Sequence, residues 1–345
     1  MKKKIALITG VSGQDGAYLA EFLLKKNYTV IGTDRRSARG DLWRLKRLKI
    51  EKKIILEEME LGELYEIDAM IKKYKNIDEI YNLAAQSFVG SSFTSPLNTS
   101  NITGLGVLRV LESIRKNSPK TKLYQASSSE MFGDNYNNFQ NENTVFNPQS
   151  PYACAKVFAH YLIKNYRKAH KLYCVSGILF NHESPLRGEE FVTRKIIIGL
   201  TKIHLGEKYV LSLGNIYPKR DWGYAKEYVS AMWKMLQNKV PEDFVISTGK
   251  TYRVKDFINE AIKQLNIKAK WIGKGINEKL IEVNSKKVII NINKKYFRPS
   301  EVNFLKGDSS RARRKLKWRP KFKLSDLVKI MIQEEIKNQK AISNF

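Results

Sequence analysis

The segment Ile5-Ala-Leu-Ile-Thr-Gly-Val-Ser-Gly-Gln-Asp-Gly16 constrains the fold more than any other stretch of this chain. Ile5–Thr9 is an apolar run of strand length. Gly10, Gly13 and Gly16 follow at once, and Gly16–Lys26 then carries Tyr18, Leu19, Phe22 and Leu23 at helical spacing. A glycine turn between a strand and a helix lets the backbone approach a pyrophosphate. The helix N-terminus adds amide donors and the positive end of its dipole. The glycine spacing is G-x-x-G-x-x-G rather than G-x-G-x-x-G, so the argument rests on the placement of the loop.

The rest of the first half keeps this alternation. Thr29–Thr33, Lys53–Glu57, Glu79–Leu83, Lys122–Ser127 and Tyr173–Leu179 read as strands. Leu64–Tyr74, Leu105–Lys116 and Ala153–Lys168 read as helices. The pattern predicts an α/β fold, a doubly wound parallel-sheet Rossmann domain. The second half is less regular, with helices near Thr193–Leu205, Ala225–Gln237, Val254–Leu265 and Ser325–Glu335 among proline-containing loops. It predicts a smaller mixed α/β C-terminal substrate lobe. Residues 1–180 are expected to form the dinucleotide-binding domain, with a return near 219–247, and 181–345 mainly the lobe.

The chain has 345 residues, enough for a substantial core, and 42% are hydrophobic, as in a globular protein. No apolar run is long enough to span a bilayer. Met1-Lys2-Lys3-Lys4 resembles the start of a signal peptide, but the short apolar run behind it reads as a strand. The protein is therefore assigned to the cytoplasm. The formal net charge of +28 fits either a polyanionic partner or lysines spread over a solvated surface. The lysines are scattered and no nucleic-acid motif is present, so neither nucleic acid nor a membrane is expected as a partner. Cys154 and Cys174 lack metal or disulfide spacing and read as reduced packing residues. The histidines do not cluster, and no metal is expected.

The end of the second strand, Asp34-Arg35-Arg36, should meet the adenosine ribose. An acid there usually binds the ribose hydroxyls of NAD, whereas an arginine accommodates the extra phosphate of NADP. The consecutive arginines favour NADP, and Asp34 keeps NAD open.

Tyr152-Ala-Cys-Ala-Lys156 places a phenol and an ammonium on one face of a helix start. An ammonium beside a phenol favours the phenolate, which can take a hydroxyl proton while hydride leaves the same carbon. The preceding strand ends Ser127-Ser128-Ser129-Glu130. A serine hydroxyl can hold the reacting sugar oxygen. Oxidising a sugar at C4 acidifies the C5 proton, and Glu130 could remove it while water leaves C6. A plain dehydrogenase or reductase has no need of that base.

At these residues the chain resembles the extended short-chain dehydrogenase/reductase family, and within it the GDP-mannose 4,6-dehydratases. The likeness covers nearly the whole chain. It includes Thr9–Glu21, Asn82–Ser87, Ser127–Glu130, Ser150–Lys156, Asn181–Ile196, Leu213–Tyr228 and Tyr296–Asp308. The resemblance implies that Gly10, Val11, Ser12, Gly13, Gln14, Asp15 and Gly16 hold the cofactor pyrophosphate. It places Asp34, Arg35 and Arg36 at the adenosine end, Glu60 and Leu61 at the adenine, and Leu83, Ala84, Ala85, Gln86, Ser87, Lys156, His182 and Arg187 at further cofactor contacts. Ser87, Ser128, Glu130, Tyr152, Asn181, Val192, Lys195, Gly214, Lys219, Arg220, Arg298 and Glu301 would line a GDP-sugar site, where cations suit a diphosphate. It also implies a homo-oligomer, a tetramer built partly through the arginine loop.

The chain departs from the family at several positions. Ser128 stands for a threonine and keeps the hydroxyl. Glu60 stands for an aspartate, and Asn98 for a tyrosine near the cofactor. Asp34 replaces an apolar residue, and Phe88 a histidine near the sugar pocket. The implied reaction is a redox-neutral dehydration of GDP-mannose, or of a close GDP-manno sugar such as a heptose, to a GDP-4-keto-6-deoxy sugar. Ser128, Glu130, Tyr152 and Lys156 form its catalytic set. A 4-keto reductase or epimerase of the same family, and a non-catalytic nucleotide-binding regulator, are the other readings. Glu130 argues against the first two, and the intact catalytic set against the third.

Overall fold

Each apolar run of the first half finds its partners in one sheet. The computed structural model describes residues 3–36, 42–135 and 139–343. Its first strands are β1 (Ile5–Thr9), β2 (Thr29–Asp34), β3 (Ile55–Glu58), β4 (Glu79–Asn82), β5 (Lys122–Ser128) and β6 (Cys174–Leu179). With Phe244–Ile246 they form a seven-stranded sheet in the order Phe244–Ile246, β6, β5, β4, β1, β2, β3. All neighbours are parallel. The central strands are buried along almost their whole length because helices cover both faces. β3 lies at an edge, where Ile55 and Leu56 are exposed.

On one face, Tyr18, Leu19 and Leu23 of helix Gln14–Lys25 pack with Val229, Met232 and Met235 of helix Ala225–Leu236. On the other, Ile67, Leu111 and Ile163 come from helices Leu64–Lys73, Gly106–Asn117 and Pro151–Ala169. The chain leaves the sheet after Leu179 and returns at Phe244. Strand order reverses between β1 and β4, which opens a crevice at their C-terminal ends.

A separate core lies in the C-terminal half. Helices Val192–His204, Val254–Gln264 and Leu324–Ser343 pack on a four-stranded sheet ordered Ala269–Ile272, Lys279–Glu282, Val288–Ile292, Leu211–Leu213. The first three strands pair antiparallel and the last joins in parallel. The doubly wound domain with a smaller mixed lobe is thus the fold observed. The sheet itself occupies chain that reads as loop from sequence. Its strands are short and pair with partners far away. The run 89–105, also loop-like in composition, forms helices Val89–Thr94 and Pro96–Thr99 and a π-helical turn Ser100–Leu105. Cys174 is buried as expected of a packing residue, but Cys154 is exposed. No helix among the described residues is long and apolar enough to cross a membrane.

Candidate active site

The crevice begins where Thr9 joins β1 to β4. Its Oγ1 donates to Asn82 Oδ1 at 2.7 Å and accepts from the amides of Leu83 and Ala84, each at 3.1 Å. Gly10 turns the chain with φ +69°, and a Cβ there would lie 3.0 Å from Ala84 Cα. A Cβ on Gly16 would lie 2.3 Å from the Gly10 carbonyl oxygen. Only glycine allows this close approach of loop, helix and neighbouring strand. Helix Gln14–Lys25 follows Gly13 with no side chain capping it, and Gly13, Gln14, Asp15 and Gly16 at its start line the crevice.

The catalytic candidates sit beside this loop. Pro151 occupies the first turn of its helix, and Ser150 Oγ caps it by accepting from the Ala153 amide at 3.1 Å. Tyr152 and Lys156 therefore lie on successive turns of one face. β5 runs into a short helical turn, Ser129–Phe132, where Ser128 Oγ accepts from the Glu130 amide at 3.2 Å. That turn buries the Glu130 side chain, 7% exposed, at the same end of the sheet.

Burial pushes the Tyr152 phenol up to about 12, with the hydrogen bond from Ser128 opposing it. Burial pulls the Lys156 ammonium down to about 8. Lys156 Nζ donates to the Ala126 carbonyl at 2.7 Å and lies 5.7 Å from the centre of the Tyr152 ring. Among the described residues, no direct hydrogen bond joins Lys156 Nζ to the Tyr152 hydroxyl. Both groups have lost water, and the ammonium is held by a backbone acceptor instead.

The opposite wall comes from the C-terminal half. Strand Asn181–Glu183 pairs in parallel with Trp222–Tyr224. His182 Nε2 lies 2.7 Å from Asp15 Oδ2, and its ring stacks on Tyr228 at 4.7 Å. Arg220 Nη2 donates to Glu301 Oε1 at 2.9 Å. Arg298 Nη1 lies 3.5 Å from Glu301 and 3.8 Å from Glu130. Lys195 Nζ donates to the Ser212 carbonyl at 2.8 Å and sits 3.9 Å above the Tyr296 ring.

One cavity of about 650 Å³ joins these groups. Among the residues expected to bind cofactor, Gly10, Gly13, Gln14, Asp15, Gly16, Leu83, Ala85, Ser87, Lys156, His182 and Arg187 line it. Ser128, Glu130, Tyr152, Asn181, Val192, Lys195, Gly214, Arg220, Arg298 and Glu301 line it as well. Val11, Ser12, Asp34, Arg35, Arg36, Glu60, Leu61, Ala84, Gln86 and Lys219 do not. Val11 is a core residue packed under Gly32, and Leu61 is buried beneath Gly106. The Gln86 backbone N–H donates to Thr103 Oγ1 at 3.2 Å. Lys219 is exposed, and its backbone, not its side chain, joins the strand segment to Asn303. Asp34 accepts from Ser12 Oγ and from the Arg35 amide, while Arg35 and Arg36 are exposed. Residues 37–41, which continue the arginine loop, lie outside the described residues.

The donor set fits a dinucleotide and a second anionic ligand. Ser127 Oγ and Asn181 Oδ1 are buried at this cavity without a hydrogen-bond partner among the described residues. Buried polar groups are rarely left so, and a ligand would complete them. Among the described residues no cluster of side chains could hold a metal ion.

The comparisons with known proteins agree with this geometry. Residues 7–331 match the family model described as GDP-mannose 4,6 dehydratase. The chain belongs to the GDP-mannose 4,6-dehydratase family. It is 44% identical over 342 residues to the GDP-mannose 4,6 dehydratase of Drosophila melanogaster, covering 97% of this chain and 87% of the relative. It is 43% identical over 343 residues to that of Homo sapiens, covering 97% and 92%. Its fold matches the dTDP-glucose 4,6-dehydratase of Bacillus anthracis in complex with NAD, with TM-score 0.80, 20% identity and 98% of each chain covered. It also matches RMD from Pseudomonas aeruginosa complexed with NADPH, with TM-score 0.75, 16% identity and 97% and 100% covered.

In this GDP-mannose 4,6-dehydratase family member, several residues at the site escape sequence reasoning. Phe191 meets Phe88 edge-on at 5.7 Å, forming an apolar wall. Thr193 and Glu183 hydrogen-bond beneath it at 2.5 Å. Asp221 accepts from the Thr248 and Gly249 amides, each at 2.9 Å, and from the Gly307 amide at 3.3 Å, joining three segments behind Arg220. Asp221 lies within a segment that carries the family likeness, but its partners are distant in sequence and nothing local points to them.

Proposed function

We propose that the protein is an NADP-dependent lyase that dehydrates GDP-mannose to a GDP-4-keto-6-deoxy sugar. Family membership supports the reaction. The observation that carries it is the convergence of Ser128, Tyr152 and Glu130 on one cavity. A hydroxyl–phenol pair serves an alcohol, and a separate carboxylate serves a carbon acid. Neither alone accounts for a dehydration.

Ser128 orients the sugar at its C4 oxygen. Tyr152 takes the C4 hydroxyl proton, and Lys156 supplies positive charge behind it. When bound, the nicotinamide supplies a reversible hydride acceptor, loaded from C4 and unloaded to C6. Glu130 removes the C5 proton made acidic by the C4 ketone and assists departure of the C6 hydroxyl as water. Arg220, Arg298 and Lys195 would take the diphosphate and nucleotide, since cations suit them. The glycine loop and the open helix start would hold the cofactor pyrophosphate, with Arg35 and Arg36 available to the extra phosphate of NADP. We take the active form to be a cytoplasmic homo-tetramer, on the family likeness.

The test is incubation with NADP and a panel of GDP-sugars, reading product masses. The expected outcome is loss of one water from GDP-mannose without accumulation of NADPH. Net NADPH formation, or no mass change with any GDP-sugar, would overturn the assignment. Light scattering of the purified protein tests the tetramer.

A further inference from the structure

The chemistry proposed above leaves Glu183 without a task. It ends the strand Asn181–Glu183 and is only 2% exposed. Its Oε2 accepts from Thr193 Oγ1 at 2.5 Å. Thr193 lies in the first turn of helix Val192–His204, between Val192 and Lys195. The same oxygen lies 3.3 Å from Arg187 Nε. The Arg187 guanidinium in turn rests 3.5 Å from the centre of the Phe191 ring, the residue that precedes this helix.

A carboxylate this deeply buried is costly unless its charge and its lone pairs are answered. Here two partners answer them, and each belongs to a different ligand's surroundings. Arg187 belongs with the cofactor contacts. The helix carrying Val192 and Lys195 belongs with the nucleotide-sugar contacts. We propose that Glu183 is a positioning residue that sets both halves of the site at once. Its charge holds Arg187 in place, and its hydrogen bond fixes the start of helix Val192–His204. This rests on the reading of Arg187 and Lys195 given under the proposed function.

Charge and hydrogen bonding are separable at this position. Glu183→Gln keeps an oxygen that accepts from Thr193 but removes the charge that holds Arg187. Thr193→Val removes the hydrogen bond and leaves the ion pair. Dissociation constants for NADP and for GDP, measured by calorimetry on each full-length variant, separate the two roles. Glu183→Gln should weaken NADP binding about tenfold, the scale of one charge-assisted interaction, with GDP affected by less than about twofold. Thr193→Val should show the reverse pattern.

Equal losses for both ligands in both variants, following a fall in melting temperature, would mean a merely structural role and would overturn the proposal. Unchanged affinities in both would overturn it too. Should Glu183→Gln fail to fold, Thr193→Val against Thr193→Ser, which keeps the hydroxyl donor, still reads the helix half of the role: Thr193→Ser should hold native GDP affinity, and equal GDP losses in both would overturn the proposal. A native protein that binds neither NADP nor GDP would overturn the underlying site reading. Native binding of both ligands with the wrong pattern in the variants overturns the Glu183 role alone.

Discussion

Asp15 and His182 lie 167 residues apart in sequence and meet at 2.7 Å across the mouth of the glycine loop. Asp15 sits in the first turn of its helix, where the dipole favours an anion. His182 Nδ1 faces the Phe180 carbonyl at 2.8 Å, so a charged ring donates from both nitrogens. Burial opposes both charges, but the pair's attraction and hydrogen bonding win. Asp15 is held below its ordinary 3.8 and His182 above its ordinary 6.5.

The sign of the pH effect follows from those two directions. His182 contributes stability that is full below 6.5 and lost as pH rises through its raised folded value. Asp15 contributes stability that is full above 3.8 and lost as pH falls through its lowered folded value. The stability difference between the native protein and His182→Gln should therefore be largest between 3.8 and 6.5 and shrink at alkaline pH. Urea melts across pH give the answer, and a difference that does not vary with pH would refute the charged pair.

Lys156 gives a second pH signature, in activity. With its ammonium pulled to about 8, kcat/KM should fall as pH rises past that value. Lys156→Arg keeps the charge and should carry the fall to higher pH, at reduced rate. Lys156→Met should lose nearly all activity. It should also gain stability near neutral pH, because the native lysine is harder to protonate folded than unfolded. The gain is roughly 3 kcal/mol at most, less the cost of leaving the Ala126 carbonyl without its donor. An alkaline limb that stays in place in Lys156→Arg would remove Lys156 as its source.

What the sequence makes legible follows from how local each signal is. β1 and β6 stand out because a central parallel strand is apolar on both faces over a short run. Tyr152 and Lys156 stand out because helical spacing puts them on one face. The C-terminal sheet does not. Leu280 and Ile290 are buried, but lysines and asparagines flank them, and the strand Val288–Ile292 pairs with Leu211–Leu213 far earlier in the chain. Ser100–Leu105 carries the composition of a loop, yet it forms a π-helical turn packed against the Tyr152 helix. The contacts of Lys156 with Ala126 and of Asp15 with His182 depend on tertiary placement, which no local pattern encodes.

The adenosine end of the cofactor site sets a third prediction. The Asp34 carboxylate is already engaged by Ser12 and by the Arg35 amide, whereas the two arginine side chains are exposed. Replacing Arg35 and Arg36 together with alanine should weaken NADP binding by about tenfold or more, on the scale of hydrogen bonds to a charged group. NAD binding should change little. Parallel titrations with the two nucleotides measure the ratio, and an equal loss for both would reassign these arginines to the surface.

Asp221 offers the last test, since it ties Arg220 to the segment that carries Arg298 and Glu301. Its carboxylate is fully buried and accepts from Thr248 Oγ1 at 2.5 Å as well as from the backbone amides of Thr248, Gly249 and Gly307. Burial nevertheless pushes it up to about 6, above the ordinary 3.8. A group with a raised folded value adds stability that is full below 3.8 and lost as pH rises through about 6. Asp221→Asn cannot titrate, so its stability relative to the native protein should fall as pH drops from 6 toward 3.8. Asp221→Ala strands several buried donors and should cost roughly 3 kcal/mol or more at pH 7. Both variants should raise KM for the GDP-sugar more than they lower kcat, because Arg220 and Arg298 lose their backing while Tyr152 and Glu130 keep theirs. A fall in kcat with KM unchanged would place Asp221 in the chemistry rather than behind the diphosphate site.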